Sequence, residues 1–190
     1  MRRGCIKVCL LLGCFMPAAF AANAQEVVHA LCGTVRSIDS TAKTISVATD
    51  DGSEGLFQDF IKPNVSLDFD KKIRAEATAA DAFTKNGVRV IVYYFGNSDV
   101  RTAVALQDLG SGPFENSSGT VIKFHRNEHV LTLKNKSGVE ESFHISPKTV
   151  AETPLGAVEG NELDLKDGDQ VRVAASPVNG SESALFISAL

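Results

Sequence analysis

The sequence has 190 residues and no tryptophan, and its 23 acidic and 19 basic side chains give a formal net charge of −4 at pH 7. Nucleic-acid-binding proteins obtain most of their affinity from an excess of Lys and Arg, so this balance argues against a nucleic-acid partner. Three of the 4 cysteines fall within the first 14 residues, which excludes a dense disulfide framework in the rest of the chain.

The first residues are typical of an export signal. Basic side chains precede an apolar run that ends in Ala-Asn-Ala at positions 22–24. These features predict a secretory signal peptide over residues 1–24, cleaved before Gln25, and hence a periplasmic or extracellular protein. Cleavage removes three cations, changes the formal charge to −7, and leaves Cys32 as the only cysteine. No later apolar run approaches the ~20 residues of a membrane span.

A second kind of export signature overlaps the first. The segment Leu-Leu-Gly-Cys at positions 11–14 is similar to a bacterial lipobox, which would attach a lipid to Cys14. The apolar run before Cys14 is short, and the better cleavage site lies further along the chain. A lipoprotein is therefore the alternative to a released exported protein.

The remainder of the sequence contains an internal repeat. The stretch GTVRSIDSTAKTISV at 33–47 returns as GTVIKFHRNEHVLTL at 119–133. The same offset aligns further landmarks, and after a variable middle the register recovers: Gly52 with Gly138, Phe57 with Phe143, and Gly87, Val90 and Val92 with Gly168, Val171 and Val173. We predict two copies of one unit, residues 26–109 and 117–190, with a Gly/Ser/Pro/Asn linker at 110–118.

Each unit is predicted to contain three short strands, a less regular segment, and two further strands. Ile45 and Val47, like Leu131 and Leu133, alternate with polar residues, as in strands with one buried face. Glycine in the second turn of each unit permits the positive φ that such turns require. The fourth strands are predicted at 88–95 and 170–175, and the fifth strands at 101–106 and 184–190.

The irregular segments differ between the units. In the first, apolar residues at helical spacing predict a helix that an aspartate at position 68 or 70 caps and that Asn86-Gly87 ends: Phe69, Ile73, Ala77 and Ala80. In the second, a proline and two glycines leave room for at most one helical turn. We therefore expect a mainly β protein of two tandem five-stranded OB-like barrels, the first with a short helix between strands 3 and 4. SH3-like barrels are the alternative, and the position of the helix discriminates between them.

These motifs together resemble a family of uncharacterised secreted bacterial proteins. The sequence has Gly-Thr-Val at 33–35 and at 119–121, Lys-Thr-Ile-Ser-Val at 43–47, Gly-Val-Arg-Val at 87–90 and Gly-Asp-Gln-Val-Arg-Val at 168–173. These motifs look like those of tandem small β-barrels of the domain of unknown function 5666 type. The resemblance covers nearly all of the chain after the signal. It implies an OB-like fold and brings no activity, cofactor or site residue with it.

Few residues have side chains suited to catalysis or metal binding. His29 and Cys32 form an H-x-x-C, and His125 and His129 flank a turn where a surface metal site is conceivable, but a closed metal site needs more ligands at close spacing. The sequence has no G-x-S-x-G, phosphate-binding glycine loop or haem motif. We therefore predict a protein without a cofactor that is not an enzyme, with a metal- or thiol-dependent activity around these four residues as the alternative.

The strand at 88–95 is apolar on both faces. Ile91, Tyr93 and Phe95 alternate with buried valines and occupy the face of the strand that is expected to be exposed to solvent. Both faces of the strand should therefore be covered. The cover is the helix of the same unit, the other barrel, a second chain or a ligand. In the last case Arg89, Ile91, Tyr93 and Phe95 would anchor a partner. The predicted function is an exported non-catalytic binding or structural module of the bacterial cell envelope, with a protein or glycan partner.

Overall fold

The computed structural model describes residues 25–59, 65–97, 101–178 and 180–190. The predicted signal peptide and Cys14 lie outside these residues. The described chain is mainly β, with one short α-helix. No helix within the described ranges has the length and apolar character needed to cross a membrane.

We divide the chain into an N-terminal half, residues 25–109, and a C-terminal half, residues 110–190. The N-terminal half contains β1 (Gln25–Val27), β2 (His29–Asp39), β3 (Thr44–Thr49), β4 (Glu54–Asp59), β5 (Ser66–Asp68), α1 (Lys71–Ala75), β6 (Thr78–Ala79), a 3₁₀ turn (Ala80–Ala82), β7 (Arg89–Gly96) and β8 (Arg101–Asp108). The C-terminal half contains β9 (Glu115–His125), β10 (Val130–Asn135), β11 (Glu140–Thr153), β12 (Gly156–Glu159), a 3₁₀ turn (Gly160–Glu162), β13 (Gln170–Val178) and β14 (Ser181–Ala189).

The C-terminal half closes into a five-stranded β-barrel. Its strands pair in the order β10-β9-β13-β14-β11, and a further pairing of β10 with β11 closes the ring. The β11–β14 pairing is parallel and the other four are antiparallel. Alternate residues point into the barrel, where the buried core includes Leu131, Leu133, Phe143, Val171 and Val173. The prediction of a β-barrel is confirmed for this half.

The N-terminal half forms a six-stranded sheet in the order β4-β3-β2-β7-β8-β6. A parallel pairing of β4 with β8 also joins Phe57 to Arg101 and Asp59 to Ala103. One face of this sheet buries a core that includes Val35, Ile45, Val47, Phe57, Val90 and Val92. Outside the sheet, β1 and β5 form a small parallel pair.

Two glycines hold neighbouring strands unusually close. A Cβ on Gly33 would lie 2.4 Å from the carbonyl oxygen of Ala48, and a Cβ on Gly119 would lie 2.4 Å from that of Lys134. Contacts this short between Cβ and backbone oxygen do not occur, so both positions require glycine. In each half a register shift follows a few residues along the same strand pair. The closest strand approach therefore occurs at corresponding places in the two halves.

The helix prediction was right in place and wrong in length. Asp70 caps α1 by accepting hydrogen bonds from the backbone N–H groups of Lys72 and Ile73. The helix ends at Ala75, well before Asn86-Gly87, because β6 then pairs with β8. In the C-terminal half a single 3₁₀ turn occupies the corresponding segment, as predicted.

The segment between the halves is shorter than the predicted linker. Strand β9 begins at Glu115, and residues 115–118 pair with Ala175–Arg172 of β13. Their backbone groups are thus used in the barrel, and only 109–114 lack regular structure. Such a short connection keeps the two halves close together.

A third apolar cluster joins the two halves. It lies on the outer face of each sheet and combines residues from both: Val28, Ala30, Cys32, Ile73, Ile91, Tyr93, Val104 and Ala105 with Val150, Ala174 and Phe186. The backbone N–H of Ala157 also donates to the carbonyl of Val28 at 2.8 Å. We call this contact the inter-half interface.

Candidate functional site

The double-faced strand predicted at 88–95 is β7, and both of its faces are covered. Ile91 and Tyr93 are 0% exposed and belong to the inter-half interface, where α1 and the C-terminal half pack over them. The Tyr93 hydroxyl donates to Gln107 Oε1 at 2.6 Å, and the ring centroid lies 5.1 Å from that of Phe69. A partner can reach these two side chains only if the halves separate, so their role as anchors stays a prediction.

Arg89 connects the halves instead of facing solvent. Its guanidinium donates to Asp50 Oδ2 at 2.6 Å and to Asn116 Oδ1, in the C-terminal half, at 2.6 Å. It also lies over the ring of Phe114, 5.3 Å from the centroid, and its side chain is 12% exposed. Phe95 is half-buried at the border of the interface. The four predicted binding residues thus lie together on β7, and all four make contacts within the chain.

The thiol of Cys32 is enclosed in the inter-half interface. Cys32 is 3% exposed, and the charged side chains of Asp50 and Arg89 act on its thiol. Burial raises the pKa of the thiol far above its ordinary value, and the negative charge of Asp50 raises it further. Burial also raises the pKa of Asp50, against the opposing charge of Arg89. A thiol held protonated and inaccessible is a poor nucleophile or metal ligand.

His29 forms a hydrogen bond with Glu152 across the interface. Its Nδ1 lies 2.6 Å from Glu152 Oε1, and Glu152 Oε2 accepts the backbone N–H of Ala30 at 2.6 Å. Burial raises the pKa of Glu152, while the Ala30 N–H and His29 lower it. His29 and Cys32 are three residues apart on an extended strand and therefore project to opposite faces of the sheet. The H-x-x-C does not converge on one point.

His125 and His129 flank the β9–β10 turn, as predicted. His125 ends β9 opposite Val130, and the exposed His129 has a positive φ of 56°. No group of three or more His, Cys, Asp and Glu side chains suited to a metal ion occurs within the described residues. The surface metal site at His125 and His129 stays a prediction.

A cleft between the two halves lies next to Cys32 and Asp50. It has a volume of about 200 Å³, and we call it the central cleft. The N-terminal half contributes Ala30, Leu31, Cys32, Thr49, Asp50, Asp51, Ser53, Tyr94 and Arg101 to its walls, and the C-terminal half contributes Arg172, Ala174, Phe186 and Ser188.

Arg101 forms one wall of the central cleft. Its guanidinium carbon lies 5.0 Å from the ring centroid of Phe57 and 5.8 Å from that of Tyr94, so two aromatic rings hold the group in place. Its Nε is buried without a hydrogen-bond partner within the described residues. Burial raises the pKa of Tyr94, and the positive charge of Arg101 opposes that effect.

Arg172 faces the central cleft from the other half. It lies on the outer face of β13, between Val171 and Val173, which point into the barrel. Its charge lowers the pKa of both Asp50 and Asp51. Asp51 has a pKa of about 2, chiefly because it accepts hydrogen bonds from Thr49 and Ser53, so it is ionised at neutral pH.

The sequence reasoning missed both of these arginines. Arg172 has a signal in the sequence alignment of the two halves, because it occupies the position that corresponds to Ile91: Val171 and Val173 align with Val90 and Val92. The residue is apolar in the N-terminal half and charged in the C-terminal half, which indicates different roles at the two positions. Arg101 has no such signal, since its position at the cleft depends on how the halves dock.

Comparison with known proteins identifies no relative. No protein-family model matches the chain, and no curated protein matches its sequence. Its function therefore has to be argued from the geometry of the central cleft.

Proposed function

We propose that the chain is an exported, non-catalytic binding module of the bacterial cell envelope, and that one group of a protein or glycan partner enters the central cleft. The observation that carries this proposal is that both halves build the cleft and line it with charged side chains. Arg89 is paired with Asp50, whereas Arg172 has no ion-pair partner at contact distance within the described residues. Convergent polar groups in a concave site between two packed units are typical of binding sites.

The size of the central cleft limits what enters it. Pockets that bury a whole drug-sized ligand hold about 300–1,000 Å³. The central cleft holds about 200 Å³ and therefore suits a single sugar unit or side chain. The rest of the partner then lies outside the cleft, as expected for a module that recognises a larger molecule.

We also propose that each half is an OB-like barrel and that the chain belongs with the secreted tandem-barrel proteins it resembles. In both halves the first three strands form a meander, the helical segment lies between the third and fourth long strands, and the third strand pairs in parallel with the fifth. This order is that of an OB fold, and the helix position disfavours an SH3-like barrel. The strand registers also correspond, because Gly33 pairs with Val90 as Gly119 pairs with Val171.

Export is a separate part of the proposal, and it rests on the N-terminal sequence. The amino-terminal sequence of the protein recovered from the periplasm or culture medium should begin at Gln25. Recovery of a lipid-modified chain that begins at Cys14 would replace the released protein by the lipoprotein alternative. Recovery of the uncleaved chain from the cytoplasm would contradict export.

The binding role is tested by a thermal-shift screen of the purified protein against oligosaccharides, peptides, nucleotides and divalent metals. A ligand that prefers the folded state raises the melting temperature. Ser188→Trp fills the cleft and should abolish the shift, whereas Ser37→Trp, at an exposed position on β2, should preserve it.

Two results would overturn the role of the central cleft. One is a ligand that stabilises the wild type and Ser188→Trp equally. The other is a panel in which no compound changes the melting temperature of the wild type. Far-UV circular dichroism of both tryptophan variants shows whether the barrel strands are retained.

A further inference from the structure

We infer that the group bound in the central cleft is a carboxylate and that Arg101 and Arg172 receive it. This inference rests on the proposed function, because it assigns the chemistry of the group that the cleft accepts. The two arginines come from different halves and line the same small cleft. The two arginines can line one cleft only while the two halves are packed against each other.

Arg101 is fixed in advance of binding. Phe57 and Tyr94 lie within 6 Å of its guanidinium carbon, which restricts the plane of the guanidinium group. A fixed planar fork of N–H donors matches the two oxygens of a carboxylate. The side chain therefore has little freedom to lose when a carboxylate binds.

Arg172 supplies the second charge from the opposite wall. It lies on the outer face of β13 and lines the same cleft as Asp50 and Asp51. Ser188 pairs with Arg172 across β13 and β14 and adds a hydroxyl to the same wall. The cleft thus offers guanidinium and hydroxyl donors to one bound group.

The charge balance favours a monoanion. Arg101 and Arg172 bring two positive charges to the cleft walls, and of the two wall carboxylates Asp50 is paired with Arg89, which leaves Asp51 as the unpaired negative charge. One positive charge is then left over in a protein that is acidic as a whole. A carboxylate neutralises this excess, whereas a dianionic phosphate overcompensates it and is repelled by Asp51.

The test compares matched probes by isothermal titration calorimetry. Glucuronate and glucose differ by the carboxylate, N-acetylglycine offers the same group on a peptide framework, and inorganic phosphate at about pH 8 is mainly a dianion. We expect glucuronate or N-acetylglycine to bind at least tenfold more tightly than glucose and phosphate. The stronger of the two carboxylates indicates whether the partner is a glycan or a protein.

Variants then locate the carboxylate. Arg172→Gln should weaken carboxylate binding at least tenfold, and Arg172→Lys should restore part of the loss because it keeps the charge. Arg36→Gln is the matched control, since Arg36 is exposed on β2 and does not line the cleft. If Arg172→Gln fails to fold, Arg101→Lys replaces it, because lysine keeps the charge and loses the planar fork.

The inference is overturned if glucose binds as tightly as glucuronate and N-acetylglycine, if phosphate binds more tightly than both, or if Arg172→Gln leaves carboxylate affinity unchanged. These failures are distinct from failure of the proposed function. If the ligand is neutral and Ser188→Trp prevents its binding, the carboxylate inference is wrong and the proposed binding function stands. If Ser188→Trp does not prevent binding, both the inference and the proposed function are wrong.

Discussion

The fourth long strands of the two halves, β7 and β13, have the same inward-facing residues and opposite outer faces. Val90 and Val92 fill the N-terminal core as Val171 and Val173 fill the C-terminal barrel. On the outer faces, Ile91 corresponds to Arg172 and Tyr93 corresponds to Ala174. The inward residues maintain the sheet, so the outer residues are where the two halves were free to differ.

The outer faces differ in a complementary way. Tyr93 and Ala174 are both buried in the inter-half interface, where the N-terminal half contributes the large side chain and the C-terminal half contributes the small one. Ile91 is buried under the neighbouring half, whereas Arg172 remains at the edge of the contact and lines the central cleft. Corresponding positions on β7 and β13 thus contribute to the packing between the halves in one case and to the candidate binding site in the other.

The largest effect is expected at Tyr93. Tyr93→Ala removes a fully buried ring from the inter-half interface and should lower the free energy of unfolding by about 3–5 kcal/mol. Tyr93→Phe keeps the ring and loses only the bond to Gln107, so it should cost about 1 kcal/mol. Urea denaturation measures both. Equal and small losses would mean that the outer face of β7 is not packed in solution.

The two close-approach glycines give the next largest effect. Gly33→Ala and Gly119→Ala each place a Cβ against a backbone oxygen that cannot move aside, and each should destabilise the chain by about 1–3 kcal/mol. Similar losses at both positions are expected if the halves share one strand geometry. A large loss at one position and none at the other, in the same denaturation experiment, would contradict the correspondence of the halves.

A smaller, pH-dependent effect is expected at Asp51. Its pKa is about 2 in the folded chain against 3.8 ordinarily, so its ionised form stabilises the fold above pH 3.8 and this contribution is lost as the pH falls through 2. Because the residue is exposed, solvent screening reduces the contribution to about 0.5–1 kcal/mol. Asp51→Asn should therefore be less stable than the wild type at pH 7 by that amount.

The pH series distinguishes this charge effect from a packing defect. The difference between Asp51→Asn and the wild type should shrink as the pH falls from 4 to 2. Asp81→Asn, on an exposed 3₁₀ turn, is the control and should stay within about 0.5 kcal/mol of the wild type throughout. A stability difference for Asp51→Asn that does not change with pH would contradict the hydrogen-bonded carboxylate.

Much of the fold could be predicted because its signals are local. Alternating apolar residues predicted the strands around Ile45 and Leu131, and glycines predicted the turns at Gly52 and Gly138, where φ is 85° and 81°. The apolar outer face of β7 correctly indicated a strand with two covered faces. These features depend on neighbours within a few residues, which a sequence displays directly.

What the sequence did not predict depends on contacts between distant residues. The helix α1 stops early because β6 pairs with β8, and helical periodicity carries no information about that pairing. The central cleft exists because β13 and β14 dock beside the turn at Asp50 and Asp51, and the partners in the His29–Glu152 hydrogen bond are 123 residues apart. The apolar outer face of β7 indicates that something covers it, but a single sequence does not specify which distant residues do so.

Alkylation of Cys32 tests most directly whether the two halves pack as one unit around the inter-half interface. Cys32 lies in that interface and is only 3% exposed although it contributes to the wall of the central cleft, so N-ethylmaleimide should modify it far more slowly in native protein than in denatured protein, as read by mass spectrometry of the Cys32 peptide. Denatured protein should be modified completely, and Tyr93→Ala should increase the native rate. Modification of native wild-type Cys32 at the rate of the denatured chain would contradict a closed interface and the central cleft that depends on it.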